Sequence, residues 1–217
     1  MKTFLQRVAL GVAFIGLAGC NSLTGDALDT LHVAVFGPES QISIAQVEAI
    51  DAPVLLANLG VAEALLVSPG RGVGLSEWHG RTEMLLTHHG RLVQTAGLPV
   101  DVIAPLAADD PFMTGLHAVA DGQEITRLVD YPAQYRTGLP QHARYKRGKV
   151  ETVNFMGQDH QLLRVDEYIR MPELDFRARN QYWVEPDTGL VRRSIQHFSP
   201  ELPPLILTLA KVEGGTP

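Results

Sequence analysis

The sequence predicts an all-β fold, an antiparallel meander forming a barrel-like or sandwich domain with one or two short helices. Three observations carry that expectation. From Pro53 onward the dominant hydrophobic period is two, the mark of strands with one face on a core and the other in water. In the segment from Leu174, for example, Leu174, Phe176, Ala178, Tyr182 and Val184 share one face, while Asp175, Arg177, Arg179, Gln181, Trp183 and Glu185 share the other. Segments of this kind reverse at a glycine, as hairpins do: TEMLLTHHGRLVQT, VNFMGQDHQLLRVDEYI, and the Leu174 segment, which turns through EPDTG into LVRRSIQHF. Finally, the chain has a single cysteine, so its stability rests on a packed core rather than on disulfides.

At the start of the chain, Lys2 and Arg7 accompany a run without charge from Val8 to Gly19. That length suits a signal-peptide apolar region and falls short of the ~20 residues that cross a bilayer as a helix. Residues 1–19 are therefore expected to be a signal peptide. Leu17-Ala18-Gly19-Cys20 resembles the lipobox of bacterial lipoproteins. That resemblance implies cleavage before Cys20, with diacylglycerol on its sulfur and a fatty acyl chain such as palmitate on its amine. Each buried methylene contributes about 0.8 kcal/mol, so three chains anchor far more durably than one. Asn21 is not the aspartate that retains many such lipoproteins in the inner membrane, which points to the periplasmic leaflet of the outer membrane. Residues 20–30 are expected to be a lipidated tether and residues 31–217 a single β domain.

Along that domain, an amphipathic turn of helix is expected around Ala27 to Val35, and ISIAQVEAI as one more short helix or strand. GRGVG at Gly70 to Gly74 lacks the lysine-serine continuation of a phosphate loop and is taken as a turn. In TEMLLTHHGRLVQT, a two-residue loop at His89-Gly90 sets His88 opposite Arg91, Leu86 opposite Val93 and Met84 opposite Thr95. A type I′ turn requires positive φ at both central residues, which glycine accepts freely and histidine tolerates. Adjacent strand residues point to opposite faces, so His88 and His89 are not expected to converge on a metal. Asp110 before Pro111 starts a short helix near Pro111 to Ala120. ELPPLILTLAKV supplies a final apolar strand and EGGTP a frayed end.

HGRLVQTAGL resembles the N-G-R-L-V-x-T-x-G-L stretch of the YjbF/GfcB family of outer-membrane lipoproteins. Further similarities follow in order: Phe36-Gly37, Gly138, VNFMGQ at Val153 to Gln158, YWVEPDTGLVRRS at Tyr182 to Ser194, and PPLILTLAK. Histidine replaces the family's usual turn asparagine at His89. The resemblance implies a meandering β domain, no established catalytic activity and no cofactor. It also implies a role in export of exopolysaccharide or group-four capsule, beside a periplasmic protein and an outer-membrane barrel of the same export system.

Charge narrows the partners. Residues 20–217 carry sixteen Lys and Arg against twenty-four Asp and Glu, a net charge of −8, which disfavours nucleic acid. Between Cys20 and Ala120 there are three basic residues and eleven acidic ones, whereas Asp121 to Phe198 holds twelve basic and eleven acidic. Cationic surface therefore belongs to the second half. Within it, Tyr135 to Lys149 carries five Lys or Arg and no acid. Arg144, Tyr145 and Lys146 there combine cations with an aromatic ring, a pairing that suits an acidic polysaccharide; the bland alternative is an edge strand or loop kept soluble by charge. Arg177, Arg179 and Trp183 form a second candidate binding face; the alternative is a tryptophan covered by a loop or by the opposite layer of a barrel. No pair of carboxylates stands out for acid/base work, and Ser76, Glu77 and His79 are too close in sequence to form a triad. The expectation is a non-enzymatic binder, its rivals a periplasmic glycan-modifying enzyme and a structural support for a barrel.

Overall fold

A computed structural model of the chain describes residues 41–69 and 74–212. The signal peptide, Cys20, the tether, the Ala27 to Val35 turn, Gly70 to Val73 and EGGTP lie outside the described residues. Among those described, eleven strands form one antiparallel sheet. They are β1 Val54–Leu59, β2 Ala62–Val67, β3 Leu75–His79, β4 Met84–His88, β5 Arg91–Ala96, β6 Glu124–Tyr131, β7 Arg136–Phe155, β8 Gln158–Met171, β9 Phe176–Val184, β10 Val191–Gln196 and β11 Leu205–Lys211.

The order β5-β4-β3-β2-β1-β11-β10-β9-β8-β7-β6 consists of two meanders joined where β1 pairs with β11. The sheet curls into a half-barrel, and the edge strands β5 and β6 are tied through one residue. Ile103 pairs with Gln94 on one side and Asp130 on the other. Ile103 and Asp130 exchange both backbone hydrogen bonds, at 3.0 and 2.8 Å, while Thr95 and Ala104 donate to Val102 and Val93 at 3.0 and 2.7 Å. Both edges, which would otherwise expose unpaired donors, are thereby partly covered.

Two apolar clusters fill the concave side. One gathers Leu55, Leu66, Trp78, Leu92, Val129, Tyr131 and Met171, and the other Phe112, Leu116, Ile125, Tyr145, Val165, Tyr182 and Val184. A layer also covers part of the convex side, and it originates in a bulge. Between Arg147 and Val150 the register of β7 against β8 shifts, and a Cβ on Gly148 would sit 2.8 Å from the Arg164 carbonyl oxygen. An extra residue reverses the phase of a strand. Tyr145 before the bulge faces inward, whereas Val153 and Phe155 beyond it pack outside with Leu162, Trp183 and Ile195. Beside them α1, Ile44–Glu48, settles the ISIAQVEAI segment as helix, closed by a capping box between Ser43 and Gln46. Its Val47 packs on Val54, Leu56 and Ala210, and Met156 at the β7–β8 turn touches this group as well.

Three expectations need correction. The helix near Pro111 to Ala120 is two short 3-10 turns, Pro111–Met113 and Leu116–Ala118, because Gly115 between them adopts φ 90°. Tyr135 to Lys149 is neither edge strand nor loop: from Arg136 it belongs to β7, paired on both sides. The His89-Gly90 turn has φ of 50° and 84°, and His88 does face Arg91, but a bulge then moves Leu86 opposite Gln94 and Met84 opposite Ala96. That slip lets Arg91, Leu92 and Val93 all be buried in succession. The left-handed backbone of His89 also brings its ring against that of His88, centroids 5.0 Å apart, rather than to the opposite face.

Gly90 is required twice over, for its φ of 84° and because a Cβ there would lie 2.5 Å from the Val191 Cβ. Gly90→Val is expected to cost at least about 1–3 kcal/mol from backbone strain alone. Thermal unfolding followed by circular dichroism reads this as a lowered Tm, and an unchanged Tm would contradict it.

Candidate functional site

Arg127 and Glu167 stand in strands whose alternation would give their places to apolar residues. Arg127 is in phase with Ile125, Val129 and Tyr131 on β6, and Glu167 with Val165, Ile169 and Met171 on β8; all eight are buried. Both side chains therefore point to the concave side, where burying a lone charge is very costly unless it is paired. They pair with each other: Arg127 Nη1 donates to Glu167 Oε1 at 2.6 Å. Arg127 Nε donates to Asp110 at 2.5 Å, and its Nη2 donates to the Tyr145 hydroxyl.

Register supplies the remaining partners. Tyr145, Glu167 and Asn180 face one another across β7, β8 and β9, and Arg127 faces Gln141 across β6 and β7. Glu167 accepts from Asn180 at 2.8 Å, Tyr182 at 3.0 Å and Tyr145 at 3.1 Å, with Arg91 Nη1 3.7 Å away. Arg91 Nη2 donates to Gln141 at 3.0 Å. Asp110, the residue that caps the first 3-10 turn by accepting from Phe112 N, thus holds a buried guanidinium too. Burial pushes the Glu167 carboxyl up, but Arg127, Arg91 and the Asn180 hydrogen bond outweigh it and leave it at about 2. Burial and the neighbouring Glu167 charge push the Tyr145 and Tyr182 hydroxyls up. A cavity of about 10 Å³ beside Arg91, Gln141, Gln196 and His197 has room for roughly one water and no sugar.

The convex face of β6–β9 has the opposite character. On β7 the residues between the buried ones, His142, Arg144 and Lys146, are exposed, as are Tyr168 and Arg170 on β8 and Arg177 and Arg179 on β9. Register arranges them in two rows across the strands: Thr126, His142, Arg170 and Arg177 in one, Glu124, Arg144, Tyr168 and Arg179 in the next. An open groove of about 500 Å³ runs over β6, β7 and β8 here, with Asp109 and Glu124 contributing carboxylates. Within it Thr126 and His142 are hydrogen-bonded at 3.0 Å, and Arg144 lies 3.9 Å from Glu124.

Of the six candidate binding residues, Arg144, Lys146, Arg177 and Arg179 come together on this face. Tyr145 does not: it alternates inward and is 1% exposed, with its hydroxyl in the ion-pair network. Trp183 lies on the convex side but is 1% exposed, covered by Val153, Phe155 and Leu162, and its indole donates to Glu151 at 2.5 Å. Tyr168, Arg170 and His142 were missed, although the phase of β7 and β8 marks them as outward. Among the described residues no group of three or more His, Cys, Asp or Glu could hold a metal ion.

A half-barrel with a buried ion-pair network inside and a charged outer face defines a class of β domain, and comparison places it. The family model for YjbF, "Group 4 capsule polysaccharide lipoprotein gfcB, YjbF", matches residues 28–209. The chain belongs to that family. It is 25% identical over 214 residues to the Escherichia coli (strain K12) protein named Uncharacterized lipoprotein GfcB, covering 95% of this chain and 99% of that one. The crystal structure of the hypothetical lipoprotein YmcC from Escherichia coli (K12) shares the fold at TM-score 0.69 and 24% identity, over 85% of this chain and 95% of that one. Among the described residues no helix is long and apolar enough to cross a membrane.

The low position of the Glu167 carboxyl sets a pH dependence. A carboxyl at about 2 in the fold against 4.5 ordinarily contributes stability that is complete above 4.5 and lost as pH falls through about 2. A shift of that size corresponds to about 3 kcal/mol. Glu167→Gln is expected to lower stability at neutral pH by about 3 kcal/mol, since Arg91 loses its carboxylate and Arg127 keeps only Asp110 of its two. Its urea midpoint should also fall less than the wild type's between about pH 7 and about pH 3. Equal acid sensitivity in the two proteins would contradict the network's role.

Proposed function

We propose that this protein is a lipoprotein anchored through Cys20 in the periplasmic leaflet of the outer membrane, with residues 1–19 as its signal peptide and residues 31–217 as one β domain. On this reading it assists export or assembly of a capsule or exopolysaccharide, by binding rather than by catalysis. Membership of the capsule-lipoprotein family and the lipobox-like residues before Cys20 support the setting. Its partners on this reading are the membrane, through the lipid, and either the glycan or a protein of the same export system, such as an outer-membrane barrel or a periplasmic component.

The observation that carries the binding mode is the gathering of exposed cations on one side of the sheet. Although the chain is acidic overall, Arg144, Lys146, Arg170, Arg177 and Arg179 gather on the convex face of β6–β9. Exposed clusters of this kind steer and hold anionic partners. A glycan-modifying enzyme would instead have to work through the groove's own carboxylates, Asp109 and Glu124, because the two buried carboxylates among the described residues, Asp110 and Glu167, are both bound to Arg127.

Complementation of a deletion strain tests the reading. The wild-type gene should restore secreted or surface polysaccharide, and the double variant Arg170→Glu, Arg177→Glu should not, while remaining folded by circular dichroism and present in the membrane fraction. Full restoration by that variant would reject this face, and normal polysaccharide in the deletion strain would reject the capsule role.

A further inference from the structure

We infer that the convex groove over β6–β8 is a binding site for an acidic glycan, in which Tyr168 is the platform for a sugar ring and Arg144 and Arg170 receive its carboxylate. The inference rests on the binding reading above and names the occupant of that face.

Placement is the first support. Tyr168 is 43% exposed, the largest aromatic surface on this face, and it sits between Arg144 on β7 and Arg179 on β9, with Arg170 next to it along β8. Adjacent strands lie about 4.8 Å apart, and same-face neighbours along one strand about 7 Å apart. A ring stacked on Tyr168 is therefore within reach of three guanidiniums. Arginine meets carboxylates with a planar fork of donors, and the C–H-rich face of a pyranose packs on an aromatic ring.

Availability is the second. Arg170, Arg177 and Lys146 form no ion pair or side-chain hydrogen bond among the described residues, so they reach a ligand without first breaking an internal contact. The Arg144 and Glu124 contact, 3.9 Å long between exposed side chains, holds little.

The mixture of groups selects the ligand class. A site for phosphate or for an anionic lipid surface gains nothing from carboxylates, yet Asp109 and Glu124 line this groove beside Thr126 and His142. Carboxylates accept from hydroxyl donors, and arginines donate to carboxylate acceptors. A ligand that carries both groups on rings with an apolar face is a polymer of acidic sugars. The volume, about 500 Å³, falls in the usual range for small-ligand clefts, and a groove open to solvent lets a chain continue beyond the site.

Calorimetric titration of the full-length lipidated protein in neutral detergent micelles decides the matter, with oligogalacturonate as the acidic probe, maltohexaose as the neutral one and poly-glutamate as a sugar-free polyanion. Oligogalacturonate should bind and the other two should bind at least about tenfold more weakly. Tyr168→Ala, and separately Arg144→Ala with Arg170→Ala, should each weaken binding about tenfold or more, whereas Tyr168→Phe and the off-site Arg136→Ala should not. Equal binding of maltohexaose would overturn the acidic-sugar assignment. Equal binding of poly-glutamate, with no effect of Tyr168→Ala, would overturn it in favour of a nonspecific polyanion surface. If oligogalacturonate fails to bind while the Arg170→Glu, Arg177→Glu variant still abolishes polysaccharide in the cell, this inference fails and the face serves a protein partner instead.

Discussion

One guanidinium organises the interior of this protein. Arg127 cannot leave the concave side of the sheet, because its phase on β6 is shared with Ile125 and Val129, and a charge held there must be met from every direction. Asp110 meets it from the loop before β6, Glu167 from β8 and Tyr145 from β7. Glu167 in turn draws Asn180 and Tyr182 from β9 and Arg91 from β5. Segments far apart in sequence are thus gathered on one pair of opposite charges. Such a network favours a single register, since a slip of one residue would send Glu167 to the convex face and leave Arg127 with Asp110 alone and Arg91 without a carboxylate.

The convex face inherits its character from the same alternation. With Tyr145, Glu167 and Asn180 directed inward, Arg144, Tyr168 and Arg179 are directed outward at neighbouring positions. Among the described residues the interior is occupied by its own side chains, two apolar clusters with the ion pairs between them, and the cavity beside Arg91 and Gln141 is too small for a sugar. On the proposed reading, binding belongs to the outside. Part of that outside is closed as well, where the β7–β8 turn and α1 cover Trp183, Leu56 and Ala210. The cationic rows of β6–β9 lie beyond this cover.

Much of this was legible in the sequence. The hairpins, the β7–β8–β9–β10 meander and the positive φ at His89 and Gly90 follow from local patterns, and so does the gathering of cations in the second half of the chain. Arg127 and Glu167 were legible in principle, as charges standing in an apolar phase, but phase alone does not say that they meet. Tyr145 was misplaced by grouping it with Arg144 and Lys146, its neighbours in sequence and not on the sheet. Trp183 was placed on the correct side, and what hid it was the bulge at Gly148, a shift of register against β8 that local alternation does not reveal. The bridge at Ile103 escaped notice because one residue leaves no periodic signal.

The central claim is that one sheet keeps a structural set of arginines inside and a working set outside. Arginine side-chain NMR measures the two sets at once, through the Nε–Hε resonances of the full-length protein with and without oligogalacturonate. The account predicts that Arg144, Arg170 and Arg179 shift on titration while Arg127 and Arg91 stay in place. Shifts at Arg127 and Arg91 with the outer arginines unmoved would contradict it, and would put the ligand inside the half-barrel.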